Sequence, residues 1–342
     1  MTASQSQGPD RRVFLSGAAS AAGLLLGAPP AQAAPGTDCS EVDAILAAAV
    51  KASDVPWAAL LVTKGGADLY AGAYGVPLGH VDVLRSATKV ATVTAVLTLV
   101  ATRQLGLDDP VSRYIPAFGG EKAAITVRQL LSMSSGLRSS LQAFSDAAPL
   151  SESVAVIAAA PLAAPPGTRF IYGNLGLTVA GRVAEIVSGK SWDAFFQDAL
   201  AAPLKLDFSY VPLETGRLGG GGRTSLSGYG RLLKLHLAGG ALDGVQIISP
   251  ELVAQMQVSN GAAFKNPIPQ TEAYGYGMGW WFDRLRPDGS ARVISDPGAW
   301  GAYPWIDRDR QYGAFVFVRK ELADGVALVN RIRPLIDRAI DS

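Results

Sequence analysis

The chain of 342 residues has one cysteine, Cys39, and two histidines, His80 and His236. A lone cysteine excludes an internal disulfide and any multi-thiolate metal site. Two isolated histidines support a zinc centre poorly, and a Ser-His-Asp triad would have to draw on one of them. No Gly-x-Ser-x-Gly elbow occurs anywhere to supply the serine of such a triad. Charge is scarce as well. Only 17% of residues are charged and the formal net charge is +1, which leaves no electrostatic case for nucleic acid. Beyond the N-terminus no uncharged apolar run reaches the ~20 residues needed to cross a bilayer, so no stable membrane insertion of the mature chain is expected. Gly219 to Gly222 is not followed by Gly-Lys-Ser/Thr and reads as a flexible loop, not a phosphate cradle. No metal and no cofactor are expected.

What is present starts with a targeting pattern. Arg11-Arg12-Val13-Phe14-Leu15 precedes an apolar stretch from Ala18 to Ala28 and the small residues Ala31-Gln32-Ala33. Residues 1–33 therefore read as a twin-arginine export signal, and the mature protein as periplasmic or secreted. Glu41 to Ala52 has helical periodicity, with Ser40 placed to cap it. Trp57 to Val62 and Asp68 to Tyr74 read as strands joined at Lys64-Gly65-Gly66.

The middle of the chain is helical in pattern. Thr126, Ser151, Ser191 and Ser249 (ahead of Pro250) are placed to cap helices, and Leu175 to Ser188 stops at Gly189. Strand patterns return at Gly277 to Phe282, Arg292 to Ser295, Ala302 to Asp307 and Tyr312 to Val318, and Leu322 to Ile340 closes as a helix. The expected fold is α/β (α+β), with one antiparallel sheet built from both termini and flanked by helices. The sheet region would cover about 40–106 and 273–342, with a mainly helical lobe inserted over about 107–272 and a cleft between them.

Chemistry concentrates at Leu84-Arg85-Ser86-Ala87-Thr88-Lys89, ahead of the apolar run Val90 to Thr102. A three-residue spacing on a helix brings Ser86 and Lys89 to one face, where a desolvated lysine can take the serine's proton. The plainer alternative is a capping serine with an exposed lysine. Tyr172-Gly173-Asn174 is the only Tyr-x-Asn in the sequence. In an extended segment both tips point one way, and a phenol beside an ammonium can have its pKa lowered and relay a proton. Alternatively, Asn174 caps a helix and Tyr172 packs on the surface. Pro297 to Ala302 is glycine-rich: Gly301 would let backbone approach a substrate, and the amides of Ser86 and Ala302 would form an oxyanion hole. A Gly-Trp turn packing the sheet would give the same sequence. Trp280, Trp281, Trp300 and Trp305 fill the core or, where they face the cleft, favour apolar acyl or alcohol groups.

The order Ser86-x-x-Lys89, Tyr172-x-Asn174 and a late glycine-rich strand resembles the serine β-lactamase and penicillin-binding superfamily. Within it the likeness is to the class C β-lactamase branch, with its DD-peptidases, family VIII carboxylesterases and nylon-oligomer hydrolases. Leu107 to Val111, Ile125 to Leu137, Tyr172 to Gly189, Gly220 to Gly240 and Tyr276 to Trp280 also look like family segments. The resemblance implies Ser86 as the acylated nucleophile, Lys89 as its activator, Tyr172 as general acid/base and Asn174 as a substrate-binding amide. The family's third motif, Lys or His, then Thr or Ser, then Gly, aligns with Ala299-Trp300-Gly301, which places Trp300 and Gly301 at the substrate. The implied function is hydrolysis of small esters or amides through an acyl-enzyme. The alternatives are a β-lactamase or D-Ala-D-Ala carboxypeptidase, and a non-catalytic cell-wall-binding or structural member.

Overall fold

The stretch Ala58–Lys64 reads AALLVTK and is buried at all but its last position. A half-solvated strand would alternate apolar with polar; an unbroken run asks for cover on both faces. The computed structural model, which describes residues 32–33, 39–141, 149–212 and 216–342, supplies that cover. The seven-stranded sheet holds β1 (Gln32–Ala33), β2 (Ala58–Lys64), β3 (Ala67–Tyr74), β4 (Trp281–Leu285), β5 (Ala291–Ser295), β6 (Tyr303–Asp307) and β7 (Tyr312–Val318). Their order across the sheet is β1-β3-β2-β7-β6-β5-β4, antiparallel throughout. The hairpin between β2 and β3 turns on Gly65 and Gly66, both at positive φ, as a two-residue turn with the sheet's twist requires.

Period two sorts the central strands between two cores. Ala58, Leu60 and Val62 of β2, with Tyr312, Ala314, Val316 and Val318 of β7, meet Leu46 of α1 (Ser40–Lys51) and Ile332 of α5 (Leu322–Asp341). Ala59, Leu61, Phe315 and Phe317 face the opposite way, into a larger core shared with the helices of the lobe. That core is built around α2 (Lys89–Ala101), which is buried from Lys89 through Leu99 because helices surround it. Its neighbours include α3 (Leu175–Ser188), while α4 (Leu226–Leu237) lies directly on β2 and β7. Thus α4 belongs to the segment expected as lobe yet covers the sheet. Gly230 makes this possible, since a Cβ there would stand 2.9 Å from Leu61 Cδ1. On the other face, buried Arg333 of α5 pairs with buried Asp283 of β4, which also accepts from Ser295 and Tyr303.

Local signals account for most boundaries. Thr126 and Gln129 form a reciprocal capping box, Ser191 and Ser249 cap their helices, and Gly189 ends α3 at φ +69°. Two expected caps shift by a residue: Ser40 is the first residue of its helix, and the helix near Ser151 begins at Leu150 after Pro149. Strand β4 starts at Trp281 and not Gly277, because Gly277 N–H donates to Trp280 O across a tight turn in which Gly279 has φ +87°. The expected export segment lies outside the described residues, apart from Gln32 and Ala33, which pair with Ala71 and Tyr70. No described helix is long and apolar enough to cross a membrane.

His236 sits inside α4 with Nε2 3.0 Å from Thr94 Oγ1 and its ring edge-on to Trp280. Burial pulls it from 6.5 down to about 3, so it folds neutral. A depressed folded pKa leaves stability whole above the unfolded value and erodes it as pH falls from 6.5 toward 3. Denaturant unfolding below about pH 6 should lose up to about 1.4 kcal/mol per pH unit through this group. His236→Gln should flatten that slope; an unchanged slope would show that another group carries it.

Candidate active site

Ser86 lies in a 3-10 turn, Arg85–Thr88, that runs straight into α2. Thr88 ties the turn down. Its hydroxyl donates to Arg85 O at 2.6 Å and accepts the Gly222 N–H at 2.9 Å. One turn on, Lys89 is the first residue of α2 and only 1% exposed. Its Nζ donates to Gly219 O at 2.6 Å and to Ser86 Oγ at 3.3 Å, and stands 4.8 Å from the centre of the Tyr172 ring. The structure therefore brings Ser86, Lys89 and Tyr172 together. Burial pulls Lys89 down to about 8, against the opposing pull of the Asp296 carboxylate, with Arg85 adding to the depression.

Asp296, a residue to which the sequence reading gave no role, follows β5 and is fully buried. Its Oδ2 accepts the Val90 N–H at 3.0 Å, which sets a carboxylate at the positive end of the α2 dipole. Burial pushes this carboxyl well above its usual range, while Lys89 and the backbone amides pull it back. The clue in the sequence was Asp296-Pro297-Gly298 itself, an acid-turn tripeptide that interrupts the strand pattern.

The glycine that presses on the turn carrying Ser86 is Gly298. A Cβ there would fall 2.0 Å from Leu84 O and 3.4 Å from Ala87 N. Gly301, at φ +93°, is constrained elsewhere, since a Cβ on it would meet Val318 Cγ2 at 2.6 Å and Glu321 O at 3.2 Å. The tripeptide facing Ser86 is therefore Asp296-Pro297-Gly298, and the expected register at Ala299-Trp300-Gly301 is corrected by three residues. Gly298 N–H donates to Ala302 O at 2.7 Å, closing a turn that leaves Ala299 exposed and Ala302 at 1%. Trp300 is half-buried and carries the guanidinium groups of Arg85 and Arg319 on its ring. Trp280, Trp281 and Trp305 are core residues.

Tyr172 leans on Trp281, with ring centres 4.8 Å apart, and borders Phe170 and Tyr276. Its hydroxyl faces Ser86 and the Trp281 indole without closing a hydrogen bond to either. Burial first, and then Asp296, push the phenol well above its usual value, opposite to the expected lowering beside Lys89. Asn174 stands at the N-terminus of α3 without a side-chain cap bond. Its side chain fills the space that Cβ atoms on Gly216 and Gly219 would need, at 2.3 Å from its Cβ and 2.2 Å from its Oδ1 respectively.

Gly219 is thus held between Asn174 and Lys89. The run Gly219 to Gly222, expected as a flexible loop, instead forms a helical turn (Arg217–Gly220) and the start of a strand (Gly222–Ser225). A Cβ on Gly222 would meet Phe208 Cζ at 2.6 Å and Thr88 Oγ1 at 2.8 Å, so these glycines serve close approach. Among the described residues, no group of three or more His, Cys, Asp or Glu side chains could hold a metal ion.

Known proteins share this fold. The Beta-lactamase family model matches residues 42–334. A putative β-lactamase structure from Bacteroides dorei superposes with a TM-score of 0.81 at 30% identity, covering 88% of this chain and 99% of that one. Esterase EstB of Burkholderia gladioli is 30% identical over 208 residues, 52% of this chain and 53% of that protein. Protein flp of Staphylococcus aureus strain MW2 is 26% identical over 185 residues, 48% of this chain and 37% of that one. The matched region spans about half or less of these curated relatives. On both sequence and fold, the chain belongs to the Beta-lactamase family.

Proposed function

We propose that this protein is a serine hydrolase that cleaves small esters or amides through an acyl-enzyme on Ser86, after export by a twin-arginine signal. The observation that carries the hydrolytic reading is the 3.3 Å approach of Lys89 Nζ to Ser86 Oγ in a site where burial brings the lysine to about 8. A lysine titrating there is partly neutral near physiological pH and can act as base toward the serine.

The proton of Ser86 passes to Lys89 while Oγ bonds to the substrate carbonyl carbon and the carbonyl electron pair moves to oxygen. That oxygen is met by the amides of Ser86 and Ala299. Ala299 replaces Ala302 in this role because it is exposed and follows Gly298, whereas Ala302 is buried. Losing one such donor typically costs on the order of 100- to 1,000-fold in rate. Tyr172 keeps its proton at neutral pH, so it donates to the leaving oxygen or nitrogen and is reprotonated by Lys89. Water then attacks the acyl carbon, gives a proton to Lys89, and Ser86 leaves with that proton. Asn174 supports the reading as a polar amide packed beside Gly219, whose carbonyl holds Lys89.

The ester side of the reading draws on the name of the Burkholderia gladioli relative. Asp296 stands where the family's third motif carries Lys or His, so the cation that motif would offer a β-lactam carboxylate is missing at this position. Nitrocefin turnover matching ester turnover would reverse that preference.

A fluorophosphonate should label Ser86 in the folded protein, and loss of that label in active protein would sink the acyl-enzyme. Lys89→Met and Tyr172→Phe should each lower p-nitrophenyl ester turnover by roughly 100- to 10,000-fold. The groups facing Lys89 are Ser86 and Arg85 from its own turn, the Gly219 carbonyl, Tyr172 and Asp296. Because the Asp296 charge favours the ammonium, Asp296→Asn should move the acid limb of the kcat profile to lower pH by about one unit. A stationary limb would show that this charge does not hold Lys89. Replacing both Arg11 and Arg12 by lysine should keep the protein in the cytoplasm of a host with twin-arginine transport, and unchanged export would refute the signal.

A further inference from the structure

Two guanidinium groups share one indole next to the nucleophile. Arg85, the residue before Ser86, has its Cζ 4.5 Å from the centre of the Trp300 ring, and Arg319 has its Cζ 4.0 Å from the same ring. Each stacking contact is favourable alone, but two cations drawn to one ring repel. Arg319 is compensated by an ion pair with Asp82. Among the described residues Arg85 has no ion pair and no side-chain hydrogen bond. Asp296 is fully buried and turned to the start of α2.

One positive charge beside Ser86 is thus left without a counter-charge. The backbone goes out of its way to put it there, since Arg85 has φ +52°, a left-handed conformation uncommon for a residue with a side chain. The charge also reaches the reacting groups: it contributes to the depression of Lys89, and Arg85 itself is pulled down by burial and then by Arg319. Trp300 holds the guanidinium against its ring, and the planar, forked donors of an arginine match a planar oxyanion.

We propose that Arg85, steadied by Trp300 and Arg319, anchors a carboxylate of the substrate, so that the preferred esters or amides carry an acidic group. This rests on the hydrolase reading and names its substrate class.

The experiment compares acidic esters with neutral partners of matched size. The p-nitrophenyl monoester of succinic acid carries its carboxylate on the acyl side, with p-nitrophenyl valerate as partner. Acetoxybenzoate carries it on the leaving-group side, with its methyl ester as partner. In at least one pair the acidic ester should have the higher kcat/KM, by about tenfold, mostly through KM. Arg85→Gln should cut that acidic-to-neutral ratio by about tenfold and Arg85→Lys by less, because lysine cannot make the planar bidentate contact. About 0.5 M salt should narrow the ratio in the wild type.

A ratio near one in both pairs, or a ratio untouched by Arg85→Gln, overturns the anchor even while neutral esters are turned over and Ser86 is labelled. Calorimetric binding of monomethyl succinate and dimethyl succinate to Ser86→Ala reads the anchor without turnover. Tighter binding of the monoanion that is lost with Arg85→Gln supports it, and equal binding of the two refutes it. Absent labelling of Ser86 together with monoanion binding would instead overturn the hydrolase reading alone.

Discussion

A lysine ammonium that is 1% exposed is the condition around which this molecule is arranged. A charge removed from water is costly unless hydrogen bonds and opposite charge replace its solvation. Lys89 finds those replacements in four separate parts of the chain: the Ser86 hydroxyl one turn back, the Gly219 carbonyl, the Tyr172 ring and the Asp296 carboxylate. None of these alone would hold the group. Because they come from the Ser86 turn, the glycine-rich helical turn, the loop before α3 and the end of β5, satisfying one amine fixes how those pieces meet. The partial compensation also matters chemically. Full solvation would leave Lys89 protonated, and no compensation would expel it from the core.

The sheet supplies the rigidity that this arrangement needs. β2 and β7 form its centre, and their alternate residues are locked into separate cores on the two faces. A slip of one residue would turn both sets of side chains to the wrong core, so the register is firmly set. From β7 the order β6-β5 carries that register outward to the residue after Ser295, which is Asp296. The capping of α2 by a strand-end carboxylate is therefore a long-range consequence of apolar alternation in the middle of the sheet.

The sequence disclosed the elements with strong local grammar. Gly65-Gly66 announced the hairpin, Thr126 announced a helix start, and Ser86 with Lys89 announced a shared face. Features that depend on distant partners were not legible. The spacing of Tyr172 and Asn174 said nothing of burial, and burial decides that the phenol is pushed up and not down. Gly219 to Gly222 looked slack because a glycine run is equally suited to flexibility and to close packing; only the neighbours Asn174, Thr88 and Phe208 distinguish the two. Asp296-Pro297-Gly298 and Ala299-Trp300-Gly301 both end in glycine, and local sequence does not choose between them. The clash that a side chain at Gly298 would make with Leu84 O separates them, and no local pattern records it.

Ala58 and Val318, 260 positions apart in the chain, are direct partners in the central seam of the sheet. Contacts of such separation form slowly, since a long loop must close before any of them is gained. The serine, the lysine and α2 emerge from the ribosome early, yet Asp296 and Gly298 reach them only after most of the chain has been made. During synthesis the nascent chain therefore carries Ser86 and Lys89 before Asp296 and Gly298 exist to meet them. The order of the polypeptide thus delays the assembly of this cluster until the last strands have threaded into place.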